Sequence, residues 1–319
     1  MADYRNFRAR AERAFPGVKP SQALERVRAI VGSKAAMPPN EEGKLAVAAL
    51  EKLQDPALPE PTPAELAALE LMIRITRPAP LVRKGRPDDI EKVEQSEVFP
   101  DWHIFQKSLE PFAHAIGRVD HAARSLVRSE PIGTGFLVKP GLLLTNKHVL
   151  MKLSRGTGLL EPGQGVVRFQ IETDDYSDDA PVSILKVAHA HPALDAALLS
   201  VDGPALGAGR HLPRISNAAP ADQSDVVVVG YPARDSARNP LFIGVIFREE
   251  FDVLRASPGQ VCTIEPNGFT HDCSTLGGNS GSPVFDLKTA DVVGLHRSGE
   301  FLWSNEAVDG PSLAAFIAG

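Results

Sequence analysis

Three residues of this chain have the types, order and surroundings for nucleophilic acyl chemistry: His148 in TNKHVL, Asp195 in HPALDAALLSV and Ser280 in GGNSG. A serine hydroxyl is a poor nucleophile until a base takes its proton, and an imidazole is a dependable base only when a third group fixes its tautomer. His148 follows a strand-like run, LLLTN, and Asp195 precedes another, while Ser280 sits in the crowded stretch STLGGNSGSPVF at 274–285. Glycines at this density belong where backbone is left-handed or approaches something closely. Ser282 is the rival nucleophile, but it precedes Pro283 and reads as the structural start of a strand.

Three chain orders of such a triad can be tested. An α/β-hydrolase needs G-x-S-x-G with Asp and His further on; here Ser282 replaces the second glycine and the later histidine, His296, is too near for intervening βα units. A subtilisin-like order needs an αβ body. His, then Asp, then Ser on β-barrels fits the spacing, about one barrel between the first two and most of a second before the serine.

The elements that must position these residues divide at about residue 130. Helical periodicity marks 21–32, 42–54 and 62–76, and again 101–128, with no strand-like run among them. Thr62, Pro63 and Glu65 form a capping signal for the third helix. Pro-rich breaks fall at 55–63 and 78–90. After 130 come eleven short β runs: GTGFLV, GLLLTN, VVRFQI, VSILKVA, AALLSV, VVVVGY, LFIGVIFR, VCTI, FTHDC, SPVF and VVGLH. Strands without intervening helices predict an all-β barrel or sandwich. Asn267-Gly268 reads as a two-residue hairpin turn, a register that sets Cys262 opposite Cys273.

Composition bounds the rest. At 43% hydrophobic and 23% charged the chain is a folded protein, with 319 residues for about two domains. The charged start MADYRNFRARAERAF does not read as a secretory signal, no window approaches a membrane span, and two cysteines suit a reducing compartment. The expectation is a cytoplasmic protein whose two thiols stay reduced. Net charge is −6, with +4 on residues 1–54 and −10 on the remainder, which reads as the solvated faces of short helices. The acidic run DDYSDD at 174–179 lacks the glycine and terminal glutamate of a calcium loop, and His189 and His191 have no third ligand in view. No metal, cofactor, membrane or nucleic acid is called for.

Over residues 130–310 the motifs GTGFLV…LLLTNKHV, HPALDAALL, VVGYP and STLGGNSGSPV…VVGLH resemble the bacterial trypsin-like (chymotrypsin-fold) serine peptidases. That resemblance implies a mainly β fold of two packed six-stranded antiparallel barrels, at about 129–222 and 223–310, with His148 as general base, Asp195 orienting it and Ser280 attacking. The N–H groups of Gly278 and Ser280 would form the oxyanion hole. Asn279 stands where the animal zymogens keep an aspartate, so activation by a freed N-terminus is not implied. The primary pocket falls on Ser274, Thr275, His296 and Gly299, without an aspartate at its base; Thr275 with His296 is similar to the glutamyl endopeptidases and implies cleavage after acidic residues. The expected organisation is a small helical recruitment or regulatory segment at 1–54, a linker at 55–63, a helical region at 64–128 packed on the protease, and the protease at 129–319. The implied partners are a protein or peptide substrate and a regulatory or sensor protein docking on 1–62, as in bacterial defence systems. The alternative is a catalytically silent trypsin-like module that grips a peptide.

Overall fold

Capping chemistry and apolar spacing build the N-terminal third. In the computed structural model, which describes residues 4–31, 40–77, 79–90, 99–122, 130–161, 163–169, 180–202, 211–234, 240–300 and 304–319, helices run over Tyr4–Ala14 (α1), Pro20–Val31 (α2), Asn40–Gln54 (α3) and Pro63–Ile75 (α4). The start of α4 is a capping box: Thr62 Oγ1 accepts from the Glu65 N–H at 3.3 Å, and Glu65 Oε2 accepts from the Thr62 N–H at 2.6 Å. Glu65 also takes both hydrogen bonds of Lys52 from α3, each at 2.8 Å, so the Pro-rich stretch between the helices is bridged at its root.

A two-stranded ribbon (β1, Val82–Arg83; β2, Arg86–Pro87) and helix α5 (Trp102–Leu109) lead to the barrels. The first barrel contains β3 (Ile116–His121), β4 (Glu130–Lys139), β5 (Leu142–Thr145), β6 (Gly165–Phe169), β7 (Val182–Ala190) and β8 (Ala197–Val201), with the short helix α6 (Lys147–Leu153) after β5. Its strands close in the order β3-β4-β5-β8-β7-β6. Asp225–Gly230 (β9) opens the second barrel; helix α7 (Pro240–Phe247) follows, then β10 (Arg255–Glu265), β11 (Gly268–His271), β12 (Pro283–Asp286), β13 (Val292–Glu300), β14 (Ser304–Asp309) and a last helix, α8 (Gly310–Ala318). This barrel closes as β10-β11-β14-β13-β12-β9, and all pairings in both barrels are antiparallel. Each barrel has its own apolar interior, Val119, Leu137, Leu143 and Val167 in the first and Val228, Val261, Phe269 and Val284 in the second. A third cluster, with Phe136, Tyr231, Phe285 and Leu295, joins them and extends to α5 and α8.

Several expectations need correcting. β3 lies within the 101–128 stretch read as helical. Its polar pair disguises it: Arg118 and Asp120 are buried on one face, bound to each other at 2.8 and 2.9 Å, while Val119 faces the core. LFIGVIFR is the helix α7, not a strand. Periodicity does not separate the two in a short apolar run, and Ile243, Ile246 and Phe247 are buried at helical spacing. The 262–273 register is also overturned: Glu265 pairs with Gly268 and Ile264 with Phe269, so the two-residue turn is Pro266-Asn267, with Asn267 at φ +59°. Proline suits the first central position of a turn and asparagine tolerates positive φ at the second. Gly268 is already in the strand, where a Cβ would press on the Ala307 carbonyl of β14 at 2.6 Å. A bulge then carries Cys262 out of register, and Cys262 and Cys273 are buried thiols not joined in a disulfide. The acidic run at 174–179 lies outside the described residues.

The outer helices are not set apart from the body. Phe7, Phe15, Val27 and Leu50 of residues 4–54 share one buried core with Leu66, Leu69, Met72 and Ile73 of α4, with Ile246 and Phe247 of α7, and with Leu276 of the loop between β11 and β12. Arg10 of α1 is 4% exposed and binds Asp272 of the second barrel at 2.6 Å.

Candidate active site

The barrels meet where their loops carry the three chemically matched side chains. β5 ends at Thr145, and Asn146 enters α6 in extended conformation, so His148 emerges at the start of a short helix. The turn before β8 holds Asp195, whose carbonyl accepts from Asn146 Nδ2 at 2.9 Å. His148 Nδ1 lies 2.7 Å from Asp195 Oδ2, and the His148 backbone N–H donates to Asp195 Oδ1 at 2.9 Å. Two bonds from one residue fix both the ring plane and the tautomer: Nδ1 carries the proton and Nε2 is left as acceptor. Burial raises the Asp195 carboxyl, but the hydrogen bonds from the His148 ring and backbone prevail and hold it below its ordinary value.

Ser280 lies in the loop between β11 and β12 and shares a cleft of about 390 Å³ with His148, Thr275, His296, Arg297, Gly299 and Asn305. Its Oγ donates to the Arg297 carbonyl at 3.3 Å. The expected hydrogen bond to His148 is not made in this resting arrangement; such bonds commonly tighten only when substrate arrives. Gly278 has φ +90°, and a Cβ there would strike the Tyr231 carbonyl, so only glycine fits. Among the described residues the N–H groups of Gly278 and Ser280 donate to no protein acceptor, while Asn279 N–H is taken by Leu276 O at 3.2 Å and Gly281 N–H by His296 O at 2.8 Å. Two free N–H groups flanking a hydroxyl can receive an oxyanion. Ser282 is fully buried with its Oγ against Gly230, away from the cleft.

Thr134, in the middle of β4, was not singled out by sequence, yet it ties the loop to the first barrel. Its N–H donates to Ser280 O at 2.8 Å, its Oγ1 donates to Gly278 O at 2.8 Å, and Oγ1 accepts from Tyr231 N–H at 3.1 Å. The one signal was its place between two glycines in GTGF, which let neighbouring chain come close.

In the expected pocket, Thr275, His296 and Gly299 line the cleft; Ser274 does not, being fully buried with its Oγ 3.4 Å from the Arg77 carbonyl after α4. Thr275 Oγ1 donates to Asn305 Oδ1 at 2.8 Å, and Asn305 Nδ2 to the Cys273 carbonyl at 2.6 Å; Asn305, on a strand the sequence did not signal, was also missed. His296 Nδ1 lies 3.2 Å from His271 Nε2, and His271 Nδ1 accepts from Cys273 N–H at 3.4 Å. That last bond sets the chain of tautomers: His271 donates from Nε2, His296 accepts at Nδ1, and His296 Nε2 keeps a proton to donate. Both rings stay neutral. Burial pushes His271 down to about 3, Asp272 opposing and Arg74 adding to the shift, and burial followed by the nearby His271 and His148 rings pushes His296 well below its usual value.

The paired histidines of HAHP have structural work: His191 Nδ1 accepts from Leu194 N–H at 2.7 Å, and the Phe316 ring of α8 meets His189 tilted and His191 edge-on, each with ring centroids 5.3 Å apart. No cluster of three metal-ligating side chains occurs among the described residues.

A glutamyl endopeptidase of Staphylococcus aureus is 25% identical over 185 residues, spanning 53% of this chain and 47% of the relative. The chain thus spans about half the length of the curated relatives it matches. Two similar solved structures are a protease from M. tuberculosis in its active form (20% identity, 65% of this chain and 80% of that one, TM-score 0.44) and a serine endoprotease from Yersinia pestis (18%, 67% and 65%, TM-score 0.47). Residues 133–295, just over half of the chain, match the profile of the trypsin-like peptidase domain, and the chain belongs to that family.

Proposed function

We propose that this protein is a serine endopeptidase that cleaves through an acyl-enzyme on Ser280. The observation that carries the reading is the His148–Asp195 pair, bonded at 2.7 Å, in one cleft with Ser280 and the free N–H groups beside it. Rotation of Ser280 Oγ away from the Arg297 carbonyl brings its proton to His148 Nε2 as Oγ attacks the peptide carbonyl carbon. Asp195 stabilises the imidazolium, and the N–H groups of Gly278 and Ser280 hold the oxyanion, each such donor being worth about 3 kcal/mol in this chemistry. Collapse breaks the C–N bond, the leaving amine takes the proton from His148, and water reverses the sequence to release the acid.

The side chain before the scissile bond enters the space walled by Thr275, His296 and Gly299, and cleavage falls after acidic residues. The support is the neutral His296 with Nε2–H to donate, a Thr275 hydroxyl able to turn from Asn305, and the similarity to glutamyl endopeptidases. The same reading has the enzyme act in the cytoplasm, consistent with two buried reduced thiols, and under a regulatory protein that docks on residues 1–62, as in a bacterial defence system.

Digestion of a peptide library by the full chain beside Ser280→Ala tests the reading. Hydrolysis by the wild type alone, after Glu and more weakly after Asp, is the expected result. Peptide retention without hydrolysis by either protein would instead mark a silent binding module.

A further inference from the structure

Helix α4 lies outside both barrels, yet its Arg74 lines the cleft together with His296 and Thr275. The side chain is 2% exposed; Nε donates to Glu70 Oε1 at 2.7 Å, and Nη2 is buried without a hydrogen-bond partner. A count of its surroundings shows why. Among the described residues the buried ionic cluster holds three guanidiniums, Arg10, Arg74 and Arg77, against Glu70 and Asp272, with Asp225 beyond them paired to Arg13 at 2.5 Å and acting on Arg77. Glu70 already serves Arg74 and, at 2.5 Å, Arg10, while Asp272 serves Arg10 and Arg77. The adjoining His271 and His296 are neutral. Arg297, the cleft's other cation, is offset by Glu306 at 2.9 Å. Among the described residues Arg74 thus shares its one carboxylate with Arg10 and keeps a partly uncompensated charge at the wall of the pocket. Burying a charge without a counter-charge is costly, and an incoming carboxylate removes that cost where a neutral isostere does not.

We propose that Arg74 is the specificity-determining cation of the primary pocket, supplied by the helical region, and that its charge is neutralised by the carboxylate side chain of the residue preceding the scissile bond. This rests on the reading of the cleft as a peptidase's substrate site. It makes α4 part of the substrate site, so the barrels without their helical head would lack the charge that selects an acidic residue.

The test compares kcat/KM for peptides that differ only in Glu or Gln before the scissile bond. The wild type should favour Glu at least about tenfold, and Arg74→Met should cut that ratio at least about tenfold by losing Glu turnover selectively. The variant should fold, because Glu70 keeps Arg10, and Asp272 keeps both Arg10 and Arg77. Arg74→Gln is a second neutral variant. An unchanged Glu:Gln ratio in either folded variant overturns the proposal. Should neither fold, Arg74→Lys decides, since its ammonium can keep the pair with Glu70 but reaches less far along the pocket wall: a lowered Glu:Gln ratio supports the proposal and an unchanged one overturns it. A wild type that hydrolyses nothing and takes no fluorophosphonate on Ser280 is a failure of the peptidase reading instead. Calorimetric titration with product peptides ending in Glu or Gln then makes the same comparison without turnover.

Discussion

At the residue scale, the proposed reactivity of Ser280 depends on the groups that hold His148 and the loop around the serine in place. Asp195 fixes the tautomer of His148 through both oxygens. Asp195→Asn should therefore lower kcat by about three to four orders of magnitude while the protein stays folded, because an amide in that place favours the wrong tautomer; steady-state kinetics beside a melting curve checks this. Thr134 acts at one remove, as a positioning residue. Thr134→Val keeps the volume but leaves the Gly278 carbonyl and the Tyr231 N–H without their partner, a cost of about 1–3 kcal/mol each for a buried group. The Gly278 peptide then loses its anchor, so kcat should fall with KM little changed, and Thr134→Ser should recover most of it. That His148, Asp195 and Ser280 would come together in one cleft was legible in sequence because their order and spacing along the β runs suit few folds. Thr134, Asn305 and Arg74 were not. Nothing local distinguishes a threonine inside a strand, or an arginine on an amphipathic helix, from its neighbours until the tertiary contacts are known.

At the element scale, the capped helix α4 and the alternating strands of the first barrel could be read directly, since caps and period-two patterns are local signals. Errors fell where tertiary context outweighed local preference. The Arg118–Asp120 pair makes β3 look polar, the evenly apolar LFIGVIFR has no period to read, and Gly268 serves a close strand contact instead of a turn. The outer helices are the clearest case: amphipathic faces at 4–54 show that something is covered, not what covers it. The structure puts Leu276 of the loop that carries Ser280 in that core. Deleting residues 1–62 should accordingly strip cover from Leu66, Leu69 and Met72 and produce a protein with a lowered melting temperature, or one that aggregates. A truncated chain that melts with the full one would show that the helices contribute no stability to the rest. Asp272 is the ionic counterpart. Asp272→Ala leaves Arg10 and Arg77 buried without their shared carboxylate and should cost about 3–5 kcal/mol in urea unfolding.

At the scale of the whole molecule, two barrels and a helical head are joined by groups that must keep one charge state. His271, with its folded-state value pushed to about 3, and His296, also shifted down, bind fewer protons folded than unfolded, so stability is complete above the ordinary histidine range and falls as pH drops toward their folded values. Asp272, held far below its usual range against the opposing pull of burial by Arg77 and Arg10, contributes above the ordinary carboxylate range and is lost only in stronger acid. Both signs agree. The free energy of unfolding in urea should fall between pH 7 and pH 4.5, by on the order of 2 kcal/mol for His271 alone, and His271→Gln should narrow that fall. Such acid sensitivity belongs to the joint between barrels and head, the place where the cleft also lies. The measurement that bears most directly on the central claim is fluorophosphonate labelling of the intact protein at neutral pH, with the adduct located by peptide mass mapping. The account predicts one adduct, on Ser280, lost in Ser280→Ala and nearly lost in His148→Ala; a folded wild type that takes no label, or carries it on Ser282, would contradict it.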